Sequence, residues 1–150
     1  MGVTYAFAFG AKSVQAALTT SFFVNFVTRH YIENAALNNQ ESQVAELVAS
    51  SVNLARHTNI LAFFRPNSDK CNLAVREYTW TSRARPCGVD LPLQCEKCGS
   101  IQSLKIKVEG DHKTATAVCK GCGKSHAFAL AKGFHPVPSG ERGQWVVRDI

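Results

Sequence analysis

Two short segments constrain this chain more than any other feature: Cys95-Glu-Lys-Cys98-Gly99 and Cys119-Lys-Gly-Cys122-Gly123, with residues 99–118 between their inner cysteines. Each Cys-x-x-Cys turn brings two sulfurs to one side of the backbone. The glycine after each second cysteine permits a positive φ and lets backbone N–H groups approach a thiolate. The sequence between the knuckles reads as a hairpin: Leu104, Ile106 and Val108 alternate with Lys105 and Lys107, and Gly110-Asp111 stands before Thr114 to Val118. Two sulfur pairs facing each other across a hairpin make the tetrahedral Cys₄ pattern of a structural zinc site, with Cys95, Cys98, Cys119 and Cys122 as ligands. Four thiolates fill a tetrahedral shell and leave no position for a reacting water, so the Zn²⁺ expected here is structural.

Other uses of the cysteines fit less well. The chain has six, adding Cys71 and Cys87, and an even count is compatible with disulfides in an oxidising compartment. No positive n-region or cleavage site marks residues 1–9 for export. A Cys₄ iron site uses the same knuckles, and geometry alone does not separate it from zinc; the segment holds only Phe128 in place of a clustered aromatic core. A redox pair belongs at a helix start, whereas both pairs here flank strands. On its knuckles and hairpin, the segment from about 93 to 131 resembles the zinc-ribbon family. That resemblance implies a small β-rich module held by the ion, of a kind that in many members binds nucleic acid.

Charge is unevenly placed. Of 17 basic and 11 acidic residues, residues 1–66 hold four (Lys12, Arg29, Arg56, Arg65) and three (Glu33, Glu41, Glu46). The net of +5 carried by the remainder falls to roughly +3 if four thiolates hold a dication. The first contact candidates for an acidic partner, protein or nucleic acid, are Lys105, Lys107 and Lys124. No set of aromatics interleaves them as a stacking platform, and Lys105 and Lys107 also suit the wet face of a half-buried strand.

The first half has a different pattern. Val3, Tyr5, Phe7 and Phe9 alternate with small residues, which predicts a strand ending at Gly10. Ser13 is placed to cap a helix over 14–30, striped by Val14, Leu18, Phe22 and Phe26. Asn38 and Glu41 form a capping-box pattern before a second helix over 41–56, with Val44, Leu47, Val48, Ser51, Val52 and Ala55 on one face. Ile60 to Phe64 then reads as a buried strand stopped by Pro66. The two strands, separated by a long helical crossover, are expected to be parallel if they pair. Two strands are too few for a stable sheet, so its completion falls to the second half, to self-association or to a missing N-terminal region.

The expectation is therefore an α+β protein in three parts. Residues 1–66 form a strand–helix–helix–strand unit, 67–92 an extended linker and strand, in which Leu73, Val75 and Glu77 alternate with Ala74, Arg76 and Tyr78 before solvated Arg83 and Arg85, and 93–150 a zinc ribbon with a C-terminal strand around Trp145. The stretch between Gly133 and Gly143 reads as a Gly/Pro link. No run approaches the ~18 apolar residues of a membrane helix, and the expected compartment is the cytoplasm or nucleus. Cys71, Cys87 and the five histidines (His30, His57, His112, His126, His135) sit in no catalytic signature. The expected function is non-catalytic.

An enzyme-class alternative comes from residues 3–65. A strand and Gly10 leading to the aromatic-rich helix Ser21-Phe22-Phe23-Val24-Asn25-Phe26-Val27, a second amphipathic helix and a buried strand resemble the closing part of a caspase-like or CHAT-type peptidase domain. The resemblance implies a C-terminal fragment of such a hydrolase with the ribbon as accessory. The family's His-Gly and Cys dyad has no counterpart here: no His precedes a Gly, and residues 1–66 contain no Cys.

Overall fold

The computed structural model of the chain describes residues 5–11, 14–33, 41–65, 72–110, 113–137 and 144–150. Ser13, Asn38, Pro66, Cys71, Asp111 and His112, singled out above, lie outside that set.

The chain runs β1 (Tyr5–Phe9), α1 (Ala16–Val27), α2 (Glu41–Ala49), α3 (Val52–Ala55), β2 (Ile60–Phe64), β3 (Ala74–Thr81), β4 (Leu104–Val108), β5 (Thr114–Cys119), β6 (Ser125–Ala129), β7 (His135–Val137) and β8 (Gln144–Asp149). It is an α+β fold with two antiparallel sheets, one of five strands in the order β1-β2-β3-β8-β7 and one of three in the order β4-β5-β6.

Three elements depart from expectation. β1 and β2 pair antiparallel, with Phe7 opposite Ala62, and not parallel. The crossover holds a helical hairpin: one helix between two strands returns the chain to its starting direction, but a second helix adds a reversal, so the next strand runs the opposite way. The helix expected over 41–56 breaks after Ala49. There the Ser50 hydroxyl donates to the Leu47 carbonyl (2.6 Å) and the Ser51 N–H donates to Val48 (2.9 Å), competing with helical bonding. α1 starts at Ala16 and runs into a wider π turn, Thr28–Ile32, closed by the Glu33 N–H on the Thr28 carbonyl at 2.9 Å.

The second half completes the sheet. β3 pairs with β2, and β8 pairs with β3, so the strand around Trp145 belongs to the larger sheet. β7, inside the expected Gly/Pro link, forms its far edge; Pro136 is tolerated because an edge strand does not need every N–H.

Period-two alternation sorts the side chains. Tyr5, Phe7 and Phe9 face the helices, and Phe7 meets Phe22 and Phe26 edge-on at 5.0 and 5.1 Å. Val44, Leu47, Val48 and Ser51 are buried from the α2 side. Trp80 and Trp145, directly opposite in register, pack edge-to-face at 5.3 Å beneath them. Each fully buried aromatic of this kind stabilises the fold by several kcal/mol.

The linker between the sheets is tightly built. Arg85 is not solvated: its guanidinium donates to Asp90 (2.8 Å), to the Asn59 side-chain oxygen (3.1 Å) and to the Gly88 carbonyl (3.1 Å). Arg83 is exposed, as expected. The 3₁₀ turn Pro86–Gly88 follows, with Cys87 at φ 54° and Gly88 at φ 75°. Gly88 lies so close to β3 that a Cβ there would stand 2.4 Å from Thr79 Cγ2. On its other side, Cys87 is buried with its sulfur 3.4 Å from the Lys113 carbonyl. The turn thus ties the three-stranded sheet to the back of the five-stranded one.

Candidate metal centre

The two knuckles are built alike. In the first, the Cys95 N–H donates to the Ser100 carbonyl (2.9 Å) and the Gly99 N–H donates back to Cys95 (2.7 Å). In the second, Cys119 donates to Lys124 and Gly123 to Cys119, both at 2.9 Å. Gly99 and Gly123 have φ of 69° and 71°, the left-handed conformation that closes each turn cheaply only without a Cβ. A third bond, from the Lys120 N–H to the Ser103 carbonyl at 2.8 Å, holds one knuckle against the other. A Glu96–Lys124 ion pair at 3.1 Å bridges them on the outside.

This frame gathers the four predicted sulfurs, all within 4.8 Å of one another. Cys95 and Cys122 sulfurs are 3.7 Å apart, Cys98 and Cys119 sulfurs 3.6 Å, and all four are free thiols. A zinc ion about 2.3 Å from each of four sulfurs sets them about 3.8 Å apart. The cluster is therefore compatible with a zinc-binding site and can hold a metal ion. Cys95 and Cys119 are buried, Cys122 is half-buried and Cys98 is exposed.

Two serines, which the motif did not reveal, tune the sulfurs. The Ser103 hydroxyl, 3.3 Å from Cys119, brings that thiol down to about 6, helped by the Cys122 backbone N–H. Ser100, 3.2 Å from Cys98, lowers that thiol through its hydroxyl and then its N–H. The Lys124 N–H acts to lower Cys122, but desolvation and the sulfurs of Cys98, Cys95 and Cys119 outweigh it and push the thiol up to about 11. Four adjacent thiols cannot all ionise without a cation, so protons persist in the metal-free cluster.

The lysines divide. Lys105 and Lys107 are exposed on the outer face of β4, while Leu104, Ile106 and Val108 are part-buried on the inner one. Lys107 pairs with Glu109 at 3.4 Å; Lys105 has no ion-pair partner among the described residues. Lys124, in its pair with Glu96, belongs to the frame of the cysteine cluster. Elsewhere, His30 stacks on Phe26 at 5.5 Å, and His57 and His135 are exposed. His126 lies on the half-buried side of β6.

Neither sequence resemblance is joined by a wider match: the chain matches no known family model, no curated protein and no solved structure.

Proposed function

We propose that this chain is a non-catalytic, zinc-stabilised module: a Cys₄ zinc ribbon whose structural zinc rigidifies a basic face for an acidic partner, nucleic acid or protein. The observation that carries the reading is the convergence of Cys95, Cys98, Cys119 and Cys122, with paired sulfurs 3.6 and 3.7 Å apart. Hard cations prefer oxygen donors, and this all-thiolate set suits zinc. A closed shell supplies folding free energy and no open coordination position.

The binding half of the proposal rests on Lys105 and Lys107, adjacent on one exposed strand face. Across from them in register stand Val118 and Thr116, and beyond those Ser125 and Ala127. Such a surface has charge and room but no ring on which a base can stack, so it suits a phosphate backbone or an acidic protein surface better than unpaired bases.

Titration of the zinc-loaded protein with duplex DNA and with an acidic polypeptide, each at several salt concentrations, tests it. Binding should weaken steeply as salt rises. The double variant Lys105→Glu/Lys107→Glu should weaken it about ten-fold or more regardless of DNA sequence. Binding that ignores both salt and charge reversal would refute the basic-face reading and leave the metal site standing.

A further inference from the structure

The apolar flank at the β1 end of the larger sheet is a second surface, remote in sequence from the cysteine cluster. α1 contains no charged residue between Ala16 and Val27. Phe22 and Phe26 point down onto β1. Asn25 points toward the α2 side, where its amide donates to the Ser50 hydroxyl at 2.7 Å. The flank turned away from α2 carries Phe23 and Val27, 44% and 47% exposed, followed by Tyr31 at 71%. Phe23 also touches Phe9 of β1, at 6.2 Å between rings, so this flank stands above the outer edge of the sheet. Exposed apolar residues gathered on one flank of an uncharged helix mark a surface that is ordinarily covered.

β1 is the end strand, and among the described residues no strand pairs with its outer edge. Edge strands in soluble proteins are usually guarded by charge, proline or a bulge; Tyr-Ala-Phe-Ala-Phe has none of these. The strand is also complementary to itself. Turned through a two-fold axis at Phe7, it sets Tyr5 opposite Phe9, Phe7 opposite Phe7 and Ala6 opposite Ala8 of a second copy. Rings meet rings on the helix side, and small residues meet on the other.

Charge favours a second copy as the occupant. The flank lies in the half of the chain with a net charge of only +1, and the basic residues concentrate beyond residue 66. Joining two copies at β1 brings an uncharged surface against an uncharged surface and leaves the two basic regions on opposite sides of the seam. We propose that two copies of this chain pair antiparallel through β1 about that axis, forming a continuous ten-stranded sheet with the Phe23–Val27 flanks of the two α1 helices in contact above the seam.

Sedimentation velocity on the whole zinc-loaded protein at roughly 10 µM, where a dimer of micromolar affinity is populated, tests this. The expected species has about twice the 16.4 kDa chain mass. Ala6→Lys/Ala8→Lys places lysine opposite lysine twice in the proposed register and should raise the dissociation constant roughly ten-fold or more. Ala6→Lys/Ala8→Glu places lysine opposite glutamate twice and should restore the dimer. Circular dichroism on both variants establishes that the fold is kept. A monomeric parent protein would overturn the proposal, as would a dimer indifferent to both variants. So would a lysine–glutamate variant as dissociated as the lysine–lysine one.

Discussion

Ser103 Oγ lies 3.3 Å from the Cys119 sulfur across 16 positions of sequence, and the thiol beside it is brought down to about 6 while that of Cys122 is pushed up to about 11. Metal binding must displace the remaining protons, Cys122's among them, so zinc affinity should rise with pH between 6 and 9. Ser103→Ala removes a donor to the Cys119 thiolate and raises that thiol toward its ordinary value, where protons compete better. Affinity should then fall roughly ten-fold near neutral pH and by less at pH 9, where even a thiol at its ordinary value is about half ionised. Competition with a chromophoric chelator across that range checks both the slope and the convergence. The four cysteines of the cluster were legible because Cys-x-x-Cys-Gly fixes two sulfurs and the turn within five residues. Ser103 was not, since its contact exists only after β4 and the second knuckle are brought together. The Lys124–Glu96 pair was hidden for the same reason: Lys124 shows only as one more basic residue until Glu96 is placed 3.1 Å away.

Alternation and helical stripes are local patterns, and they located β1, α1, β2, β3 and the hairpin strands to within a few residues. Strand direction is a different kind of property. The antiparallel pairing of β1 with β2 follows from the number of reversals between them, whereas the parallel expectation rested on the length of the helical crossover. The solvated-linker reading of Arg85 failed because one of its partners, Asn59, comes from the segment just before β2, 26 positions away. Element geometry also makes Gly88 indispensable. Gly88→Ala forces a side chain to 2.4 Å from Thr79 Cγ2 at φ 75°, and should cost about 1–3 kcal/mol in urea unfolding. Thr79→Ser removes the clashing methyl but not the backbone strain, so the double variant should recover part of that loss and not all of it.

Over the whole molecule, the two sheets depend on different sources of stability. The larger one is anchored by the core around Trp145, Tyr78 and Phe22; in the three-stranded one only Ala115, Ala117 and Cys119 are buried, the other strand residues being half-buried or exposed. Small modules of that kind need a metal to hold their fold. Chelation, or Cys98→Ser, should therefore release amide protons of β4, β5 and β6 to exchange while those of β2, β3 and β8 stay protected. Hydrogen exchange resolved by peptide reads this directly, and equal loss in both sheets would show that the three-stranded and five-stranded sheets melt together. That β3, β7 and β8 complete the larger sheet was visible in sequence only as a deficit, since a strand–helix–helix–strand unit lacks enough strands to be stable alone. Which segment fills that deficit depends on long-range pairing that no local pattern encodes.

The most direct measurement is native mass spectrometry of the purified protein with free-thiol counting before and after chelation. One zinc per chain, with four thiols that become reactive only when the metal is removed, is the result expected from the Cys95, Cys98, Cys119 and Cys122 cluster. A metal-free chain whose four cysteines are joined in disulfides would contradict it.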